Sequence, residues 1–271
     1  MSTADELLTQ KLFPLATQLL QENTITEWFF IRYADPDHHL RIRFKGKDDF
    51  YKKVIEKIHE NLNEFVENKS VWKIQVDTYK REIERYGSKN MVNSEFLFHK
   101  ESELICKILQ STSEDDNLRW KLAFLGVDNL LTNFDLKIEH KKRIMESLSE
   151  SFHKEFGLEN VNDTKILSKS YREKRQIIED SIENPALYAE YKELFTNYSL
   201  SIKENINTVI ELAKNNELEM NLSNLLASYI HMFLNRYFRA NQRKHECIIY
   251  YMLFQYYRSV EAKSKSTVLN D

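Results

Sequence analysis

Three stretches of this sequence carry residue types at spacings that could do chemistry. In HHLRIRF, residues 38–44, Arg41 and Arg43 lie two apart in a strictly alternating run, and Arg32 sits in the aromatic stretch WFFIRYAD just before it. Alternation of period two puts Arg41 and Arg43 on one strand face, with Leu40, Ile42 and Phe44 on the other. Guanidinium forks pair bidentately with carboxylates and phosphates, so three of them converging across a hairpin would suit an anionic group. In DTYKREIERYG, residues 77–87, Arg81 and Arg85 stand four apart and would share a face if the segment were helical. In SYIHMFLNRYF, residues 228–238, His231 lies in the most apolar segment of the chain, followed by Asn235 and Arg236. Histidine is the side chain best suited to moving protons near neutral pH. Each stretch also has a plain reading: a solvated charged strand, a charged helical turn ending at Gly87, and a satisfied core histidine. Residue patterning leaves these alternatives open.

The elements that would position these groups are visible in the apolar periodicity. Residues 28–44 read as an antiparallel hairpin, with Asp35-Pro36-Asp37 supplying the turn. Phe50, Val54, Ile55, Ile58, Leu62 and Phe65 recur at helical spacing, and VWKIQVDTY, residues 71–79, alternates again as a returning strand. The first third, residues 1–90, is therefore expected to be β-β-α-β. Beyond Asn90 the pattern is helical, with segments at 93–110, 118–132, 139–156, 171–180, 185–214 and one long apolar helix over 222–257. The expected fold class is α+β: a small antiparallel sheet packed with a predominantly helical remainder, residues 91–271, in a single domain over 1–271.

Composition narrows the function. The 271 residues include 4 Gly and 3 Pro, far fewer than usual, and no phosphate-cradling glycine motif. A formal net charge of −3 gives no bulk attraction to nucleic acid or anionic membrane. The 2 cysteines, Cys106 and Cys247, have no metal or disulfide-framework spacing, and the histidines show no metal motif. No segment has the length or apolarity of a signal peptide or membrane span, so a cytoplasmic protein is expected.

Taken together, FFIRYADPDHHLRIRFKG, DTYKREIERYG, FLFHKESELICKIL and SYIHMFLNRYF resemble the C-terminal elimination domain of lantibiotic dehydratases, also found in thiopeptide-type bacteriocin biosynthesis proteins. The resemblance spans residues 28–257. In full-length members a larger domain uses glutamyl-tRNA to glutamylate Ser and Thr of a precursor peptide, and the elimination domain expels glutamate to leave dehydroalanine or dehydrobutyrine. This chain begins with its own methionine at the start of the resemblance, which suggests a free-standing elimination subunit of a split dehydratase. The resemblance implies catalytic roles for His231 and for Arg41, Arg43, Arg81 and Arg85, with Arg32, Asn235 and Arg236 as substrate-binding candidates. It implies neither metal nor organic cofactor. Its partners would be a glutamylated precursor peptide and a glutamyl-tRNA-dependent glutamylation subunit. Two departures stand out: Gly87-Ser88 replaces a common Gly-Gly, and Arg239 stands where glycine is common. The resemblance also admits a pyridine synthase, which joins two dehydroalanines and releases the leader, and a non-catalytic peptide-binding or scaffold subunit is the alternative outside enzymology.

Overall fold

The computed structural model describes residues 3–112, 115–158, 160–184 and 189–268. An N-terminal helix, which the sequence reading did not anticipate, starts at Thr3–Glu6 (α1), widens into π turns over Leu7–Leu12 and continues as α2 (Phe13–Gln21). Leu8, Leu12, Leu15 and Leu19 recur along its buried side. Its wide turns lie just ahead of Pro14, which has no N–H to return to the preceding turn.

The hairpin forms as expected. Strand β1 (Ile25–Tyr33) pairs antiparallel with β2 (His39–Gly46), with Phe29 opposite Arg43, Ile31 opposite Arg41 and Tyr33 opposite His39. Opposed residues share a face, so Arg41 and Arg43 project beside Phe29, Ile31 and Tyr33. Helix α3 (Phe50–Glu67) follows, burying Val54, Leu62 and Phe65.

The third strand expected over 71–79 does not form, and among the described residues the sheet has two strands. Residues 72–78 form no regular element and are exposed, Trp72 at 75% and Val76 at 71%. The vacant position beside β1 is filled by helices instead. In an antiparallel ribbon every second residue points its N–H and C=O away from its partner strand. Here those residues are Trp28, Phe30 and Arg32. His99 Nδ1 lies 3.4 Å from the Trp28 N–H and 3.1 Å from its carbonyl. The Phe30 N–H donates to Ser102 Oγ at 3.3 Å, and its carbonyl accepts from Arg236 Nε at 2.9 Å. Asn235 takes both groups of Arg32, accepting at 3.0 Å and donating at 2.9 Å. Buried backbone polar groups must be paired, and once side chains pair them no strand can add there.

The remainder is helical: α4 (Ile83–Tyr86), α5 (Met91–Ser111), α6 (Asp116–Asn133), α7 (Ile138–Glu155), α8 (Val161–Glu183), α9 (Ala189–Lys214), α10 (Leu222–Tyr237) and α11 (Gln242–Val268). The long helix expected over 222–257 is thus two, broken after Tyr237 and restarted past Asn241, whose φ of 54° lies in the left-handed region. Helix α10 runs through the core, with Leu225, Leu226, Tyr229, Ile230, Phe233, Leu234 and Tyr237 buried. Its close approach to α6 depends on Gly126, where an added Cβ would lie 2.3 Å from the Phe233 ring.

Candidate active site

Three of the anticipated substrate-binding residues serve the fold. Arg32 faces away from Arg41 and Arg43, because it lies opposite Leu40, and it is 4% exposed. Its guanidinium donates to the Asp5 carboxylate at 2.7 Å and to the Arg236 carbonyl at 2.8 Å. The three-arginine convergence expected across the hairpin therefore does not occur. Asn235 spends its amide on the Arg32 backbone. Arg236 is fully buried, pairing with Glu101 at 2.8 Å and lying 4.6 Å from the Phe98 ring centre. Burial pushes the Glu101 carboxyl up to about 7, although Arg236 pulls it the other way.

The sheet arginines face a different environment. Arg41 lies 3.7 Å from the Tyr33 ring centre, its Nε 3.1 Å from His39 Nε2. Arg43 lies over Tyr79, 5.4 Å from the ring centre, and its Nε is buried with no hydrogen-bond partner. Tyr79 in turn packs edge-on against Phe29 with centres 5.7 Å apart. Among the described residues no carboxylate pairs with Arg41 or Arg43, whereas Arg32, Arg236 and Arg81 each have one.

Arg81 and Arg85 do not share a helical face, because α4 begins only at Ile83. Arg81 lies before it and forks onto Glu95 of α5 with contacts of 2.8 and 2.6 Å. Arg85 turns to α10, donating to Ser228 Oγ at 3.2 Å, with a long 3.5 Å contact to Glu82. The segment 79–86 thus links the two halves of the site, Tyr79 beneath Arg43 and Arg85 on α10.

His231 lies one helical turn beyond Ser228, so the two side chains occupy neighbouring positions on one face of α10. Its side chain is 26% exposed, and Nδ1 lies 2.8 Å from Glu246 Oε1. Glu246 is fully buried near the start of α11 and also accepts from Arg243 at 3.0 Å and from Tyr250. Burial first, then the Glu246 charge, holds the Tyr250 hydroxyl well above the ordinary tyrosine range, so Tyr250 stays a donor. An ionised carboxylate only accepts hydrogen bonds, so the proton of neutral His231 resides on Nδ1 and Nε2 is left with a lone pair. Arg85 and Arg243 both act electrostatically on Tyr250, which places Arg85 on the same side of the molecule as this pair.

Glu246, Arg243, Tyr250 and Ser228 were not legible as site residues. Only the Arg243-x-x-Glu246 spacing hinted at a charged pair, and nothing in the sequence connects it to His231 across the break after Tyr237. A separate cleft of about 530 Å³, lined by α6, α8 and α9, contains none of the residues discussed above.

A two-stranded ribbon sealed by helices, with arginines and a carboxylate-oriented histidine beside it, makes a protein able to hold carboxylates and move a proton. The chain belongs to the family described as lantibiotic biosynthesis dehydratase C-term, whose model matches residues 1–257. It is 22% identical to the epidermin biosynthesis protein EpiB of Staphylococcus epidermidis over 90% of this chain and 24% of that protein. It is 28% identical to the nisin biosynthesis protein NisB of Lactococcus lactis subsp. lactis over 56% of this chain and 17% of NisB. The chain accordingly spans about a quarter of the length of EpiB. In fold it is similar to the tRNA-dependent lantibiotic dehydratase MibB from Microbispora sp. 107891, with a TM-score of 0.76 and 17% identity over 96% of this chain and 27% of MibB. It is also similar to TsrL, with a TM-score of 0.68 and 12% identity over 95% of this chain and 91% of TsrL. Among the described residues, no helix is long and apolar enough to cross a membrane.

Proposed function

We propose that this protein eliminates glutamate from glutamylated Ser and Thr side chains of a ribosomal precursor peptide, leaving dehydroalanine or dehydrobutyrine. The observation that carries the reading is the His231–Glu246 pair at 2.8 Å, with Arg85 of α4 donating to Ser228, one helical turn before His231 on α10. The reaction removes a Cα proton, forms the Cα–Cβ double bond and breaks the Cβ–O bond, so that glutamate departs as a carboxylate. His231 Nε2 accepts the proton while Glu246 stabilises the resulting imidazolium. The guanidinium of Arg85 offsets negative charge developing on the peptide carbonyl, and Arg41 and Arg43, which have no carboxylate of their own, hold the glutamyl group. Arg81 is a positioning residue in this scheme, since its fork is already occupied by Glu95. The glutamyl adduct is supplied by a glutamyl-tRNA-dependent glutamylation activity, and the reaction takes place in the cytoplasm.

The test is to incubate the protein with a chemically glutamylated precursor peptide and follow peptide mass. Loss of glutamate with appearance of the dehydro residue is expected, and His231→Ala should leave the glutamylated peptide intact while remaining folded. Elimination at an unchanged rate in that variant would overturn the assignment. Cyclisation of a bis-dehydroalanine peptide without glutamate loss would replace the reading with the pyridine-forming one.

A further inference from the structure

The hairpin has two long edges, and the structure treats them differently. Along β1 the outward-pointing groups of Phe30 and Arg32 are taken by Ser102, Arg236 and Asn235, and His99 Nδ1 covers Trp28, pairing with its N–H or its carbonyl according to the tautomer. Along β2 the corresponding residues are Leu40, Ile42 and Phe44, which lie opposite Arg32, Phe30 and Trp28 and must point their N–H and C=O away from β1. Among the described residues no strand flanks β2, and its own residues are half-buried. Apart from a long 3.4 Å contact from Arg43 Nη1 to the Ile42 carbonyl, these outward groups make no hydrogen bond among the described residues. The open edge is the one that carries Arg41 and Arg43, two guanidinium groups without an acidic partner.

We infer that the edge of β2 over Leu40–Phe44 is the docking strand for the substrate peptide, which adds to the sheet as an extended third strand with carboxylate-bearing side chains at alternate positions facing Arg41 and Arg43. Main-chain pairing supplies affinity with little demand on sequence, which suits a substrate modified at several places. Charge selects the register, because only side chains of one parity lie on the arginine face. A neutral or basic strand would leave both guanidinium groups uncompensated. The occupant is taken from the eliminase reading above; the open edge and its two arginines, which have no carboxylate partner among the described residues, are independent of it.

The experiment uses the full chain and a fluorescein-labelled synthetic peptide of serine and threonine with two glutamates at alternate positions. Three versions are compared by fluorescence anisotropy: unmodified, N-methylated on one alternate set of amides, and N-methylated on the other. Only one set faces β2, so one methylated peptide should bind about tenfold or more weakly while the other stays near the unmodified value. Amide hydrogen exchange should show Leu40, Ile42 and Phe44 exchanging fast in the free protein and slowing with peptide, with Arg41 and Arg43 slow throughout. Equal binding of the two methylated peptides overturns the inference. So does protection of Leu40, Ile42 and Phe44 in the free protein, which would mean that residues 72–78 or a second copy already cover the edge. The two readings fail separately: glutamate release without methylation asymmetry retains the eliminase and removes strand docking, whereas asymmetry without glutamate release does the reverse.

Discussion

At the residue scale, the sequence separates arginines by type and the structure separates them by employment. Arg32 and Arg236 look as capable as Arg41 and Arg43 on paper, yet Asp5 and Glu101 consume them. The difference lies in contacts between residues far apart in the chain, which local patterning does not encode. His231 stood out as a lone histidine in an apolar run, but patterning left a core histidine open, and only the resemblance assigned it a role. Its orienting carboxylate was not, because Glu246 sits on the next helix among other charged residues. Glu246→Gln should lower the elimination rate about 10–100-fold with less effect on peptide binding, against a loss of about 10²–10⁴-fold for His231→Ala. Single-turnover rates and peptide affinity, measured on variants with unchanged circular dichroism, check this. An unaltered rate in Glu246→Gln would remove it from the mechanism. Asn235→Ala should act on stability, leaving the Arg32 N–H and C=O unpaired at a cost of about 1–3 kcal/mol, read as a shift in urea midpoint.

At the element scale, the hairpin and its faces followed from alternation, and α3 from its apolar spacing. The strand expected over 71–79 does not form: Trp72, Ile74 and Val76 have the right alternation, but side chains of α5 and α10 pair the β1 edge, and the segment lies exposed instead of along β2, whose edge it leaves open. Sequence periodicity reports what a segment could do, whereas edge availability is settled by the helices packed beside it. The same helices set the site, so seating α10 correctly matters. Gly126→Ala should force Phe233 off its position and destabilise the fold by about 1–3 kcal/mol. A thermal midpoint equal to the parent's would show that α6 and α10 can separate freely.

At the scale of the whole molecule, the N-terminal helix is tied to the rest of the protein by one buried carboxylate. Asp5 accepts from Arg32 of β1, from Arg119 of α6 at 3.0 Å and from Arg239 in the joint between α10 and α11. Arg239 thereby joins the α10–α11 connection to the first helix. Burial opposes the charged carboxylate, and these arginines outweigh it, holding Asp5 below its ordinary value of 3.8. A carboxylate depressed in the folded state contributes stability above its ordinary pKa and loses it as pH falls through the folded value. Asp5→Asn should therefore cost about 3–5 kcal/mol at pH 7, and the gap from the parent should narrow below about pH 4. Urea titrations across that range test the point, and a constant gap would refute it. The two-point grip of Asn235 on Arg32 has a further result. It sets the rotation of α10 about its own axis, and His231 lies only four positions earlier on that axis. One residue inserted between His231 and Asn235 would leave the helix gripped as before but swing the imidazole by about 100°, out of register with Glu246. Under the proposed function, the alignment of His231 is thus a matter of angular phase, fixed by an amide whose two ends are held by the Arg32 backbone.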